Sequence, residues 1–232
     1  MAVTDTAIET IKQMIVSGEL RPGQRLPPEK ELSERLGLSR NSLREAVKSL
    51  DLIRVLDVRR GDGTYVTSLE PGLLLEAMSF VVDLHQDDSV LEIFEVRRLL
   101  EPHAAARAAT RITAEELDAL AAELDALPAE PTVEELVDHD VRFHAAITAA
   151  GGNTYLASLL DSLTSATVRA RVWRGITQDG VTDRTLAEHR GILEALRRRD
   201  TEMARAALTV HIGGVEAWLR RAAEGEGPVE LR

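Results

Sequence analysis

Apolar residues in the first part of the chain recur at helical intervals. Ile8, Ile11 and Ile15 fall three and four apart and predict a helix over about 5–17, closed by Gly18, Pro22 and Gly23. A second short helix is expected from Glu29 to Leu36, burying Leu32 and Leu36 and stopping at Gly37. Ser39 then reads as the N-cap of a third helix reaching about Ile53, with Leu43, Val47 and Leu50 on its buried side. Two short helices about a glycine turn make a helix-turn-helix. Beyond them the period drops from helical to two. Val55, Asp57 and Arg59 alternate with Leu56, Val58 and Arg60, Gly61-Asp62-Gly63 supplies a turn, and Thr64-Tyr65-Val66 supplies a return strand. The expected fold of residues 1–70 is therefore an α+β winged helix-turn-helix.

A short link around Thr67 to Gly72, containing Pro71, leads into a remainder that is helical throughout. Its apolar stripes are Leu74, Met78 and Val81, then Val90, Phe94 and Ala104 along a long helix, then Leu117, Leu120, Leu124 and Leu127. Thr113-Ala114-Glu115-Glu116 and Thr132-Val133-Glu134-Glu135 have the form of capping boxes and mark two helix starts. Gly151-Gly152-Asn153 interrupts the pattern before a long helix from Tyr155 to about Trp173. Gly180 precedes two more, roughly Thr182 to Arg199 and Asp200 to Ala223, and the tail from Glu224 is expected to fray. Residues 71–232 thus predict an all-α bundle of six or seven helices.

Charge divides the chain at the same place. The first 70 residues hold 11 Lys and Arg against 11 Asp and Glu, and the remainder holds 17 against 28, which carries the whole net charge of −11. Within the neutral part, residues 39–60 concentrate six cations against three anions, a local basic surface on an acidic protein. The absence of cysteine excludes a disulfide scaffold, a thiolate metal cluster and a catalytic thiol. Apolar runs such as Leu73-Leu74-Leu75 are far too short to span a membrane, and the first residues carry Asp5 and Glu9 rather than a secretion core. The expectation is a cytoplasmic protein with no membrane partner.

The first 66 residues resemble the DNA-binding domain of the GntR family of bacterial transcription regulators. The resemblance is carried by Pro22-Gly23, Leu26-Pro27, Glu29, Leu32, Leu36-Gly37, Leu38-Ser39-Arg40, Leu43-Arg44-Glu45-Ala46 and Gly61-Asp62-Gly63-Thr64-Tyr65-Val66. The helical remainder resembles the FCD effector domain of the FadR-type branch, through Val96 to Glu101, Asp140 to His144, Gly152-Asn153, His189 and His211. Two positions depart from the pattern. Pro28 stands where a serine commonly caps the second helix, and Arg54 stands where a glycine commonly ends the third, so the exit from that helix is expected to run differently.

In a helix-turn-helix the second helix enters the major groove of double-stranded DNA with its N-terminal residues at the base edges. Arg44 is the expected base reader, Arg40 a reader or phosphate clamp, and Ser39, Asn41 and Ser42 phosphate contacts. Arg59 and Arg60 belong to the wing, whose Gly63 tip would approach the minor groove. Glu45 is expected to pair with an arginine. A single winged helix reads only half a site, so a homodimer on a pseudo-palindromic operator is expected, with the helical domain supplying most of the contact.

In the helical domain Asp140 and His144 are four apart, on one face with Leu136, Phe143 and Ile147. His189 and His211 sit in apolar stretches of two later helices. A lone inward histidine is usually a core residue, but at these four positions the resemblance implies a divalent metal ion, with zinc expected first and nickel, cobalt or manganese as alternatives. His85, His103 and His139 are assigned to surface or packing. Open metal positions would accept a small carboxylate or hydroxy-acid effector. Arg97 is a candidate anchor for its anionic end and equally a partner for Glu101, one turn away. The expected function is a ligand-responsive regulator, not an enzyme. A metal-dependent hydrolase or isomerase joined to a DNA-binding unit, and a pure metal sensor, are the competing readings. The enzyme lacks a general base, since no acidic residue besides Asp140 is placed at the site.

Overall fold

The computed structural model describes residues 3–73 and 86–223. The expected stripe Leu74, Met78 and Val81, His85 and the tail from Glu224 lie outside them. Contacts divide the chain into two compact units, Met1–Leu74 and Leu75–Arg232.

The first unit contains α1 (Val3–Val16), α2 (Glu29–Leu36), α3 (Arg40–Leu52) and the antiparallel hairpin β1 (Leu56–Arg59) and β2 (Gly63–Val66). The hairpin register runs from Leu56 opposite Val66 to Arg59 opposite Gly63. The segment before α2 adds a partial third edge, because Leu26 N–H donates to Thr64 O at 2.8 Å and Val66 N–H to Gln24 O at 2.9 Å. Ile11, Leu32, Leu43, Leu50 and Leu56 are fully buried and form one core with Leu26 and Val66. Gly37, in the left-handed region at φ 65°, reverses the chain between α2 and α3. Ser39 caps α3 by accepting from Ser42 N–H, while Pro28 caps α2 without any side-chain bond.

The exit from α3 follows the route a glycine would give, contrary to the expectation. Arg54 N–H donates to Asp51 O and Val55 N–H to Leu50 O, the paired bonds of a Schellman ending, and Arg54 itself sits at φ 57°. The two bonds and the Thr67 hydroxyl, which donates to Arg54 O at 2.7 Å, hold an L-residue where its Cβ is unfavourable. Arg54→Gly should therefore stabilise this unit by about 0.5–1 kcal/mol, after subtracting the extra freedom of glycine in the unfolded chain. Denaturant unfolding of the unit gives the test, and a loss of stability would show that the arginine side chain contributes more than its backbone costs.

The second unit has seven helices among the described residues: α4 (Gln86–Arg111), α5 (Ala114–Asp125), α6 (Val133–Ala150), α7 (Thr154–Ser162), α8 (Thr164–Thr177), α9 (Val181–Arg197) and α10 (Thr201–Ala223). Both capping boxes form: Thr113 with Glu116 at α5 and Thr132 with Glu135 at α6. Asn153 caps α7. The single helix expected from Tyr155 to Trp173 is instead two, broken at Leu163. Hydroxyls at the break bond backwards, Ser162 to Leu159 O and Thr164 to Leu160 O, competing with the helical ladder for carbonyls. The apolar period continues across the junction and so does not report it. Phe94, Ile112, Phe143, Ile147, Ile192, Leu196 and Leu208 form the centre of the core, and α4 packs along α10.

Candidate functional site

In the first unit the exposed N-terminal turns of α3 carry Arg40, Asn41 and Arg44 outward, opposite buried Leu43. Ser39 and Ser42 are engaged with each other, their hydroxyl oxygens 2.8 Å apart. Arg44 is paired across to α2, with its Nη2 donating to Glu29 at 2.8 and 3.2 Å. On the wing, Arg59 bonds Asp57 and lies over the Tyr65 ring at 4.2 Å, and Arg60 is exposed. Glu45 pairs with Lys48 at 2.9 Å and not with an arginine: the one-turn spacing along α3 brings the lysine to it first. A groove of about 470 Å³ runs between α2, α3 and the hairpin, with Arg25, Arg44, Lys48 and Gly63 in its wall.

Arg25 was not visible as a site residue in the sequence. Its guanidinium donates to Asp62 O at the hairpin turn and fills the space beside Gly63, where a Cβ would lie 2.5 Å from its Nε. Gly63 thus has a local reason to be bare. Gly63→Ala should displace Arg25 from the wing and also strain the hairpin turn, because Gly63 sits at φ 154°, where a side chain is disfavoured, so DNA binding should weaken several-fold. Unaltered binding would show that the brace does not matter to DNA.

The second unit gathers Asp140 and His144 from α6, His189 from α9 and His211 from α10, all buried, with one ligand-type atom of each within 4.8 Å of the others. The Nε2 atoms of His189, His211 and His144 lie 3.2, 3.3 and 3.5 Å from the same oxygen, Oδ1 of Asp140. Donors about 2.1 Å from a tetrahedral metal stand about 3.4 Å from one another. The Nε2 atoms of His144 and His189 are buried and have no hydrogen-bond partner among the described residues. Each imidazole is gripped from behind at Nδ1: His144 by Glu101, His211 by Glu188 at 2.8 Å and His189 by His139 Nε2 at 3.0 Å. The carboxylates of Glu101 and Glu188 accept from Nδ1 and so fix the tautomer that presents Nε2 inward at His144 and His211. His189 also stacks on Phe143, ring centroids 4.1 Å apart.

The electrostatics favour the deprotonated donors that a cation needs at His189 and Asp140 and oppose them at His211. Burial pushes His189 down to about 3, keeping its imidazole neutral. Burial disfavours the Asp140 anion, yet Arg171 first, then His144, hold its carboxyl well below the usual range. Arg171 meets Asp140 Oδ2 at 2.9 Å, and burial lowers the arginine to about 10, still a cation at neutral pH. At His211 burial opposes the charge, but hydrogen bonds with Asp140 and Glu188 outweigh it and raise the value.

Arg97 is buried and bonded to Glu101, so the ion-pair reading describes its geometry. It also lines a cavity of about 250 Å³ with Glu101, His144, Thr148, Ser158 and Asp161. The Thr167 hydroxyl accepts from both Arg97 and Arg171, at 3.3 and 2.9 Å. Sequence reasoning missed four members of this cluster: Glu101 as a partner of His144, Glu188, Arg171 and His139. His139, assigned to surface or packing, is buried and meets His189 Nδ1 with its Nε2 at 3.0 Å. Glu101 also corrects the expectation that Asp140 is the only acidic residue at the site. It is committed to Arg97 and His144.

A winged helix-turn-helix with an outward basic helix, in a chain whose second unit is helical and encloses a polar cluster, defines a DNA-binding transcription regulator. The family models agree: residues 3–66 match "Bacterial regulatory proteins, gntR family" and residues 92–214 match the FCD domain. The chain is 31% identical over 214 residues to the galactonate operon transcriptional repressor of Escherichia coli (strain K12), covering 89% of this chain and 93% of that protein. It is 30% identical over 212 residues to the HTH-type transcriptional regulator LutR of Bacillus subtilis (strain 168), covering 88% and 94%. The solved structure of Streptococcus agalactiae GntR superposes with a TM-score of 0.70 at 28% identity, covering 92% and 99%. The chain belongs to the GntR family and carries an FCD domain. Its matched families and these relatives are regulators, not enzymes. Among the described residues no helix is long and apolar enough to cross a membrane.

Proposed function

We propose that the protein is a cytoplasmic repressor whose grip on DNA responds to a small carboxylate or hydroxy-acid bound beside a metal ion. The observation that carries this reading is the convergence of three imidazole Nε2 atoms on Asp140 Oδ1, each ring backed at Nδ1 by Glu101, His139 or Glu188. Three rings aimed at one point, two of them with a buried unpartnered nitrogen, make a site that a cation would satisfy. Asp140, His144, His189 and His211 would hold it. Neutral nitrogen donors with one carboxylate suit zinc first, then nickel, cobalt or manganese. The bound metal would supply a Lewis-acidic anchor for a ligand oxygen.

The cavity beside His144 favours an organic effector over pure metal sensing. It is lined by Thr148, Ser158, Thr164 and Asp161 and by the Arg97–Glu101 pair, polar residues suited to a ligand that carries hydroxyls, with Arg97 the cation for an anionic end. The name of the galactonate operon repressor places a relative beside a hydroxy-acid operon. Arg44 reads a base edge, Arg40 reads a base edge or clamps a phosphate, Ser39, Asn41 and Ser42 meet phosphates, and Arg59, Arg60 and Gly63 present the wing. A homodimer places two such heads on a pseudo-palindrome. Val96 and Leu99 on α4 and Val210 on α10, exposed apolar side chains on two helices that pack along each other, fit the dimer contact. The test is elemental analysis of the purified protein, with operator binding measured with and without galactonate and with and without chelator. Metal-free protein whose DNA binding ignores both would reduce the cluster to a polar core.

A further inference from the structure

We propose that Glu29 is a specificity-determining positioning residue of the DNA-binding unit: its carboxylate holds the Arg44 guanidinium in one orientation, so that Arg44 meets a base edge already aimed. This rests on the reading of Arg44 as the base reader. Arginine has a long side chain with substantial rotamer freedom, which a base contact must remove. Both Glu29 oxygens reach a single nitrogen of Arg44, Nη2, at 2.8 and 3.2 Å. The rest of the guanidinium is left for a guanine edge. The span of the pair is set by the fold, since Leu32 of α2 and Leu43 of α3 are fully buried beneath it. The left-handed Gly37 fixes the turn between the two helices.

Neither stability nor affinity accounts for a carboxylate at this place. The pair is open to water, with Arg44 57% and Glu29 40% exposed, and such pairs contribute little to folding. A negative charge on the wall of a groove that receives phosphates opposes binding. Nor is Glu29 the sole acid complementing the dipole of α2, since Glu31 shares its first turn. Other cations of the groove are held elsewhere, Arg25 by Asp62 O and Lys48 by Glu45, so Glu29 acts on Arg44 alone among them. What remains is discrimination: an aimed arginine loses more on a wrong base than a mobile one that can find another acceptor.

The experiment uses the full chain and a duplex that the wild type selects from a randomised pool. Wild type, Glu29→Gln and Arg44→Ala are titrated at one salt concentration against that duplex and against duplexes carrying each single base-pair change. Glu29→Gln should bind the whole set more tightly, while the penalty for changing the base pair lost in Arg44→Ala falls about tenfold and its melting temperature stays within a few degrees. A full penalty at that base pair in Glu29→Gln overturns the positioning role and leaves Arg44 as reader. Full sequence preference in Arg44→Ala overturns the reading of Arg44, and the role of Glu29 with it.

Discussion

Asp140→Ala is expected to lower the stability of the metal-free helical unit by about 3–5 kcal/mol, the scale for breaking a buried ion pair by removing one partner. The aspartate is a hub: Oδ2 meets Arg171 at 2.9 Å, and Oδ1 is the shared neighbour of His144, His189 and His211. Without it the buried Arg171 keeps only the Thr167 hydroxyl among its hydrogen-bond partners described above. The three imidazoles lose the anion that brings them together. For a unit of this size the melting temperature should fall by on the order of 10 °C. Asp140→Asn keeps the shape and removes the charge, so it should lose less stability and yet fail to retain metal. Calorimetry on both variants, prepared with chelator, decides the matter. A change below about 1 kcal/mol for the alanine variant would mean that the cluster is held together by the surrounding apolar core alone.

His189→Ala should abolish tight metal binding and with it the response of operator affinity to effector. Its ring is the most strongly set of the three, stacked on Phe143, bonded at Nδ1 to His139 and kept neutral by burial. Because the four donors come from α6, α9 and α10, a bound cation ties three helices, so wild type should melt higher with metal and His189→Ala should not. The outer partners grade the effect. Glu188→Gln, which weakens the grip on His211 without touching a donor, should cost about 10–100-fold in metal affinity. Competition with a chromophoric chelator measures both. Equal affinities in wild type and Glu188→Gln would show that the geometry is set by packing rather than by the bond to Nδ1.

Features written within one helix or one turn were legible in the sequence. The capping boxes at Thr113 and Thr132, the cap at Ser39, the hairpin at Gly61-Asp62-Gly63 and the shared face of Asp140 and His144 all depend on residues a few positions apart. Missed features depend on residues far apart. Arg171, Glu188 and Glu101 reach the cluster only because α4, α8 and α9 fold around α6, and no spacing along the chain encodes that meeting. His139 is turned about 100° from its neighbour Asp140 on the helix, and no spacing along the chain reveals that His189 meets it there. The break at Leu163 escaped because apolar periodicity continues through it, and Arg54 was misjudged because the bonds of Asp51 and Leu50 impose the left-handed turn whatever residue stands there.

The cavity beside His144 has walls of two kinds. Arg97, Glu101 and His144 are tied into the polar cluster. The rest, Ala145, Thr148, Ala157, Ser158, Leu160, Asp161 and Thr164, belong to α6, α7 and α8. None of that second group is a donor of the cluster or one of the partners at Nδ1. Substitutions there can reshape the cavity while Asp140 and the three histidines keep their places. With the effector seated as proposed, selection has separate handles on what is recognised and on the apparatus that recognition engages, so a few changes in that lining would reassign the architecture to a new metabolite.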